Sequence, residues 1–114
     1  MIREAEGCAI LARVFESRGY QITRDVGLEI GEVEFTADGW DAEAKVGFEY
    51  MTHEAGDHLD LKPDEVTRLG RRIERGELFL LLIDEARIAI ADDLEFAASS
   101  FLDEVDRRRG VADG

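Results

Sequence analysis

Residues 32–52, EVEFTADGWDAEAKVGFEYMT, form the stretch from which the fold of this chain can be inferred. Hydrophobic and polar residues alternate over 32–38 and again over 45–53, which is typical of strands that are buried on one side. The intervening residues 38–41, DGWD, favour a tight turn, because glycine adopts positive φ and aspartate caps turns. The stretch therefore predicts a β-hairpin with carboxylates along one face.

The register of this hairpin suggests a candidate site. Pairing Asp38 with Lys45 places Glu34 directly opposite Glu49. Carboxylates in such positions have Cβ atoms about 5 Å apart and repel each other, so they need a cation, a proton or solvent between them. Glu34 and Glu49 are therefore candidate ligands of a cation. His53 continues the face of Glu49 and is a third candidate ligand.

The same residues suggest a family. Residues 31–35, GEVEF, and residues 47–51, GFEYM, resemble the core motif of the PD-(D/E)xK, or restriction-endonuclease-like, superfamily. The resemblance implies a nuclease or phosphodiesterase that uses Mg²⁺ or Mn²⁺ bound by Glu34 and Glu49. The motif lysine, which helps to orient the attacking water, is replaced here by Met51. The resemblance therefore implies the scaffold of a nuclease with a degenerate active site.

The rest of the chain predicts an α/β protein whose mixed sheet is flanked by helices. The predicted order is helix, three-strand meander, helix, strand, strand, helix, over residues 3–18, 20–30, 32–38, 45–53, 63–75, 77–84, 87–90 and 92–109. Residues 77–84, ELFLLLID, lack alternation, which predicts a central strand covered on both faces. We expect one domain over residues 1–110 and a short tail over 111–114. The beginning of this order, helix, three strands, helix, strand, is also the order of the superfamily core.

Charge and cysteine content limit the partners. The 114 residues carry a formal net charge of −13, which disfavours binding to phosphate backbones and to anionic membranes. No apolar run approaches the ~20 residues that a membrane-spanning helix needs, and the first residues do not resemble a signal peptide. Cys8 is the only cysteine, so no internal disulfide can form. These features predict a cytoplasmic protein.

Two further surfaces are candidates for contacts. Four arginines of the helix over 63–75 follow the spacing of a single helix face: Arg68, Arg71, Arg72 and Arg75. Ion pairing of this face with the acidic remainder of the chain or with a protein partner is favoured over phosphate binding. Trp40, at the predicted hairpin tip, could anchor a partner or pack against its own domain.

Residues 53–60, HEAGDHLD, combine two histidines with three acids. The histidines are five positions apart, whereas a zinc-binding helix needs them four apart so that both lie on one face. An exposed polar loop is the simpler interpretation, and a loop that gathers His53, Asp57 and His58 around a cation is the alternative.

Three functions follow from these residues. The missing lysine, the acidic surface and the lack of a DNA-reading motif favour a non-catalytic domain that acts as a protein-interaction module or subunit, through a foreign partner or self-association. The alternative is an enzyme, a divalent-metal-dependent nuclease or phosphodiesterase in which Lys62 or an arginine of the second helix replaces the lysine. The third possibility is that Glu34 and Glu49 are only solvated residues on an open sheet face.

Overall fold

The computed structural model describes residues 2–51 and 62–110, which form three α-helices and four β-strands. In chain order these elements are α1 (Glu4–Ser17), β1 (Thr23–Ile30), β2 (Val33–Asp41), β3 (Val46–Met51), α2 (Pro63–Glu74), β4 (Phe79–Asp84) and α3 (Ala91–Arg109). A short 3-10 turn, Glu85–Arg87, separates β4 from α3. None of the described helices is both long and apolar enough to cross a membrane.

The strands form one mixed sheet in the order β1-β2-β3-β4. β1, β2 and β3 are an antiparallel meander, whereas β3 and β4 are parallel and are linked through α2. α1 and α3 cover one face of the sheet, and α2 covers the other. The predicted α+β class, the meander and the mixed sheet with helices on both faces are confirmed.

The helix predictions agree with the structure to within one or two residues. α2 begins at Pro63, which loses no hydrogen bond there because the first helical N–H groups have no partner within the helix. α3 ends at Gly110, whose φ of +68° is a left-handed conformation that glycine adopts without steric cost.

The larger hydrophobic core lies between the sheet and the pair α1 and α3. Phe15 of α1 is at its centre, with its ring centroid 5.1 Å from that of Phe48 in β3 and 5.9 Å from that of Phe101 in α3. Tyr50 extends this core towards the chain start, where its hydroxyl donates to the carbonyl of Ile2 over 2.6 Å. We call this group the α1–α3 cluster.

A second core, the α2 cluster, lies on the opposite face. Its fully or largely buried members come from β2, from α2, from β4 and from the residue before β4: Val33, Phe35, Ala37, Trp40, Leu69, Leu78 and Leu80. Leu69 is the only described residue of α2 that is fully enclosed. α2 therefore contacts the sheet along a narrow apolar stripe.

The turn predicted at residues 38–41 is wrong, because β2 continues through Asp41. Close packing between strands explains this. A Cβ on Gly39 would lie 2.3 Å from the ring of Phe48, and a Cβ on Gly47 would lie 2.6 Å from the ring of Trp40. Each glycine therefore leaves room for the aromatic ring of a residue on the neighbouring strand, which is why the Asp-Gly pair here is strand and not turn.

The observed turn lies at residues 42–45, and Asp41 stabilises it. One oxygen of its carboxylate accepts from the N–H groups of Glu43 and Ala44 over 3.0 and 2.9 Å. The other accepts from the N–H of Gln21 over 2.9 Å. Burial opposes the charged form of Asp41, but these backbone donors outweigh it and lower the pKa of the carboxyl.

The predicted register of the hairpin is also wrong. The residue opposite Gly47 is Trp40 rather than Thr36, which is a shift of four positions along β2. Glu34 is therefore not opposite Glu49. Its partner in the sheet is Glu29 of β1. The misplaced turn is the cause, because turn position fixes hairpin register.

β4 was predicted to be a central strand, and this is wrong. It pairs with β3 on one side, and no described residue forms a strand on its other side. The strand predicted at 87–90 does not form, since residues 85–87 make the 3-10 turn and Ile88 enters the core from a loop. Among the described strands, the most hydrophobic one is thus an edge strand.

Candidate functional site

Two buried carboxylates lie where β2 and β3 separate. The pairing of these strands ends at Gly39 and Phe48. Beyond this pair, the N–H of Asp38 donates to Oε1 of Glu49 over 3.2 Å, and the N–H of Tyr50 donates to Oδ2 of Asp38 over 2.7 Å. Side-chain oxygens thus accept hydrogen bonds that main-chain carbonyls accept elsewhere in the sheet. Asp38 is 5% exposed and Glu49 is 0% exposed.

The structure does not bring the predicted pair, Glu34 and Glu49, together. Glu34 is exposed and alternates with Phe35, which belongs to the α2 cluster, so Glu34 leaves β2 on the opposite face. Glu49 pairs with Leu82, which packs against the α2 cluster, so Glu49 points towards the α2 side. The two carboxylates are therefore on different faces of the sheet.

Asp38 also connects the sheet to α1. Its carboxylate lies beside the thiol of Cys8, and the candidate ligand atoms of Glu4, Cys8 and Asp38 all lie within 4.8 Å of one another. Burial and the neighbouring Asp38 raise the pKa of the Cys8 thiol well above its usual range. A thiol binds metal as the thiolate, which this environment disfavours. The three residues thus fit a polar contact between α1 and β2 better than a metal site.

The other predicted active-site positions lie at strand and helix ends. Met51, at the position of the motif lysine, is the last residue of β3 and is half-buried. Lys62 precedes α2, and its N–H donates to Oε1 of Glu65 over 2.9 Å. His53, the possible metal loop over 53–60 and the predicted tail over 111–114 lie outside the described residues.

The arginines of α2 form ion pairs with the protein itself. Arg68 lies 3.6 Å from Glu32 and 3.5 Å from Asp64. Arg72 and Arg75 both contact Glu77, over 2.8 and 3.3 Å. These pairs agree with the interpretation that the arginines balance acidic neighbours. The fourth arginine, Arg71, is exposed.

Trp40 is not at a hairpin tip. It lies within β2, is 7% exposed and packs in the α2 cluster. Of the two interpretations that the sequence allowed, packing against its own domain is the one that the structure supports. The exposed large hydrophobic residues among those described are both in or beside α3: Ile90, 55% exposed, and Phe96, 75% exposed.

The outer edge of β4 is a hydrophobic strand edge that no described strand covers. The N–H of Phe79 donates to the carbonyl of Lys45 over 2.9 Å, which shows that residues 79, 81 and 83 direct their backbone groups at β3. Backbone direction alternates along a strand, so the N–H and C=O groups of Leu80 and Leu82 point outward. Leu81 and Leu82 are half-buried. We call this surface the β4 edge.

The opposite edge, along β1, is built differently. Its exposed positions carry Arg24, Asp25 and Glu29, and its hydrophobic residues alternate with them. Asp25 has a φ of +54°, and the β1–β2 pairing passes from Arg24 to Val26 without it. Charges and backbone irregularities of this kind protect edge strands from pairing with other chains. In β4 the one charged residue, Asp84, is the last of the strand, and residues 79–83 have neither a charge nor a positive φ.

Sequence reasoning missed Asp38 and the β4 edge. Asp38 was assigned to a turn because it precedes a glycine. The matched glycines at 39 and 47, each beside an aromatic residue, were the available signal for cross-strand packing. The edge position of β4 had no local signal, because hydrophobic composition reports burial and not strand order.

The comparisons with known proteins give no further assignment. The chain shows no significant match to any protein-family model, to the curated proteins or to the solved structures.

Proposed function

We propose that this chain is a non-catalytic protein-interaction module and that partners join it at the β4 edge. The observation that carries the proposal is the position of β4 at the edge of the sheet. A strand as apolar as β4 is usually found in the centre of a sheet, with a neighbouring strand on each side. Unpaired backbone groups on an apolar edge are a template for an added strand.

The state of the carboxylates supports the non-catalytic part of the proposal. Glu34 and Glu49 lie on different faces, so the pair that the resemblance implied is not assembled. Asp38 and Glu49 both accept hydrogen bonds from backbone N–H groups inside the protein. The position of the motif lysine is occupied by Met51. Each carboxylate of the sheet centre therefore has a structural role.

We further propose a restriction-endonuclease-like scaffold and a location in the cytoplasm. The element order helix, three strands, helix, strand supports the first. A single buried cysteine, which needs no oxidising compartment, supports the second.

Site-specific photo-cross-linking tests the proposed function. A photoreactive amino acid replaces Leu82 in the protein as produced in its own cells, and the control carries it at Glu29 on the β1 edge. We expect a discrete covalent adduct, with another protein or with a second copy, from position 82 and not from position 29. Equal adducts from both positions, or none from position 82, would contradict the proposal.

A second candidate function, a metal-dependent phosphodiesterase, is favoured by one observation. The hydrogen bond of 3.2 Å between Asp38 and Glu49 places these two acidic residues side by side, with Asp38 where the sequence suggested Glu34. Carboxylates are the ligands that Mg²⁺ and Mn²⁺ prefer. These two do not fit such an ion well, because they are buried and bound to backbone N–H groups.

Thermal unfolding in millimolar Mg²⁺ or Mn²⁺ separates the two candidates. A ligand that binds only the native state raises the melting temperature. For an interaction module we expect the same melting temperature with and without metal. A metal-dependent rise that is lost in Glu49→Gln, and kept in Glu34→Gln, would favour the phosphodiesterase and count against the interaction module.

A further inference from the structure

We infer that the strand which joins the β4 edge is β4 of a second copy of this chain, running antiparallel across a two-fold axis near Leu81. This inference rests on the proposed function, since it names the occupant of the same edge. It is carried by three features of β4: the direction of its backbone groups, the apolar side chains on both of its faces, and the opposite charge of its two ends.

The backbone groups allow symmetric pairing. With the axis at Leu81, Leu80 of each copy lies opposite Leu82 of the other, and both residues direct their N–H and C=O groups outward. Residues that face each other in this way exchange two hydrogen bonds. Leu81 then meets its own copy in a non-hydrogen-bonded pair, where Cα atoms approach to about 4.5 Å.

The side chains of β4 fit a strand that is apolar on both faces. Leu81 packs against the α1–α3 cluster and Leu82 packs against the α2 cluster, yet both are only half-buried. A neighbouring strand would have to present hydrophobic residues to both sides at once. β4 itself, with the sequence FLLLID, meets that requirement.

Exposed hydrophobic residues also belong to the helix that contacts β4. α1 contacts β2 and β3, whereas α3 contacts α1 and β4, so α3 is the helix nearer to the β4 edge. Ile90 and Phe96, the large hydrophobic residues with the highest exposure in the described part of the chain, belong to α3 and its start. The β1 edge has no comparable surface among the described residues.

The charges select an antiparallel copy. At the Phe79 end of β4, Arg108 and Arg109 lie over the Phe79 ring at 5.0 and 4.8 Å, and Arg72 and Arg75 flank Glu77. At the other end, Asp84 is half-buried and Glu85 is buried, and the exposed Arg87 lies beyond them. An antiparallel copy brings the arginine-rich end of each chain beside the acidic end of the other, twice. A surface that complements itself in this way suits a two-fold dimer.

The net charge of −13 on each chain opposes association but does not decide it. Exposed charges farther apart than about 8 Å are largely screened at physiological ionic strength. In the proposed dimer, charges at the ends of the paired strands would be neighbours across the two-fold axis. Complementarity at the edge therefore outweighs the repulsion between distant surfaces.

Sedimentation equilibrium over a range of protein concentrations measures the association. We expect the mass of a dimer for the wild-type protein and the mass of a monomer for Leu82→Pro. Proline at position 82 removes an outward N–H and no hydrogen bond to β3, so the variant should still fold, which circular dichroism checks. Leu82→Val keeps the N–H and is the matched control, for which we expect a dimer.

A disulfide readout tests the axis without relying on proline. In a Cys8→Ala background, Leu81→Cys should form an intermolecular disulfide under mild oxidation, because the two positions would lie within disulfide distance. Glu29→Cys, on the β1 edge, should remain largely unlinked under the same conditions.

The outcomes separate this inference from the proposed function. A wild-type monomer at every concentration, or a dimer that persists in Leu82→Pro, would overturn the inference. So would a dimer in which Leu81→Cys fails to cross-link. In each of these cases an adduct from position 82 with a different protein in cells would still support the interaction module. A symmetric dimer with the Leu81→Cys disulfide supports both.

Discussion

Asp38 and Glu49 face each other across the line where β2 and β3 part, and the N–H of Asp38 donates to the carboxylate of Glu49 over 3.2 Å. The Asp38 carboxylate in turn accepts from the N–H of Tyr50. The two acids thus close the end of a shortened strand pairing. Their carboxylates are part of the architecture of the sheet, and this relationship makes the first prediction.

Replacing Asp38 with alanine should lower the free energy of unfolding by about 1–3 kcal/mol, because the buried N–H of Tyr50 loses its acceptor. Chemical denaturation followed by fluorescence of Trp40 measures this change. The matched control is Glu34→Ala in the same strand, where the side chain is exposed and the effect should stay within about 0.5 kcal/mol. Equal effects of the two substitutions would show that Asp38 has no structural role.

Gly39→Ala should destabilise the protein by about 1–3 kcal/mol, because the new methyl group overlaps the ring of Phe48 and forces β2 and β3 apart. Gly27→Ala is the control in the neighbouring strand. No atom lies within 4 Å of the position of its Cβ, so the substitution should be neutral or stabilise the fold by up to about 1 kcal/mol. A Gly39→Ala protein as stable as the wild type would contradict the packing described for these strands.

Asp41 should make the stability depend on pH on the acidic side. Its pKa is lowered in the folded protein, so its contribution is complete above the unfolded-state pKa of about 3.9 and is lost as the pH falls through the folded-state value. We therefore expect Asp41→Asn to be less stable than the wild type at neutral pH, and the difference to shrink below about pH 4. Urea denaturation at several pH values measures it. A difference that stays constant down to the lowest pH would refute the role of the charge.

The last turn of α3 should tolerate the loss of one arginine but not of another. Arg109 donates to the carbonyl of Ala44 in the turn before β3 and lies over the Phe79 ring, so Arg109→Ala should cost about 1–3 kcal/mol. Arg107 is exposed and pairs with Glu104 on its own helix, so Arg107→Ala should change stability by less than about 0.5 kcal/mol. Thermal melts of the two variants compare them directly, and the reverse order of stability would exclude the contact with Ala44.

Much of the fold could be predicted because the chain carries strong local signals. The alternation of Val33 and Phe35 with charged residues predicted the first half of β2. Pro63 and Gly110 marked helix ends that the structure confirms. The hairpin failed because an Asp-Gly pair has two uses. The local sequence favours a turn. In the structure, the ring of Phe48 leaves room only for a glycine at position 39. This requirement depends on the pairing of two strands, so the Asp-Gly pair alone does not reveal it.

The candidate site was harder to predict than the fold. The pairing of Glu34 with Glu49 depended on the register, and a shift of four positions along β2 replaced Glu34 with Asp38. The hydrophobic run of β4 correctly indicated that both faces of this strand contact a hydrophobic core. Which strand lies at the edge of a sheet depends on the path of the whole chain, so the sequence of a single strand does not reveal its position.

The first helix of the chain is covered by the last, since Phe15 of α1 packs against Phe101 of α3. During translation α1 therefore leaves the ribosome long before its partner has been made, and its hydrophobic face stays uncovered while the residues between the two helices are synthesised. Contacts between segments that are distant in sequence slow folding and prolong the exposure of hydrophobic surface. The nascent chain should consequently be a substrate for chaperones until α3 has emerged.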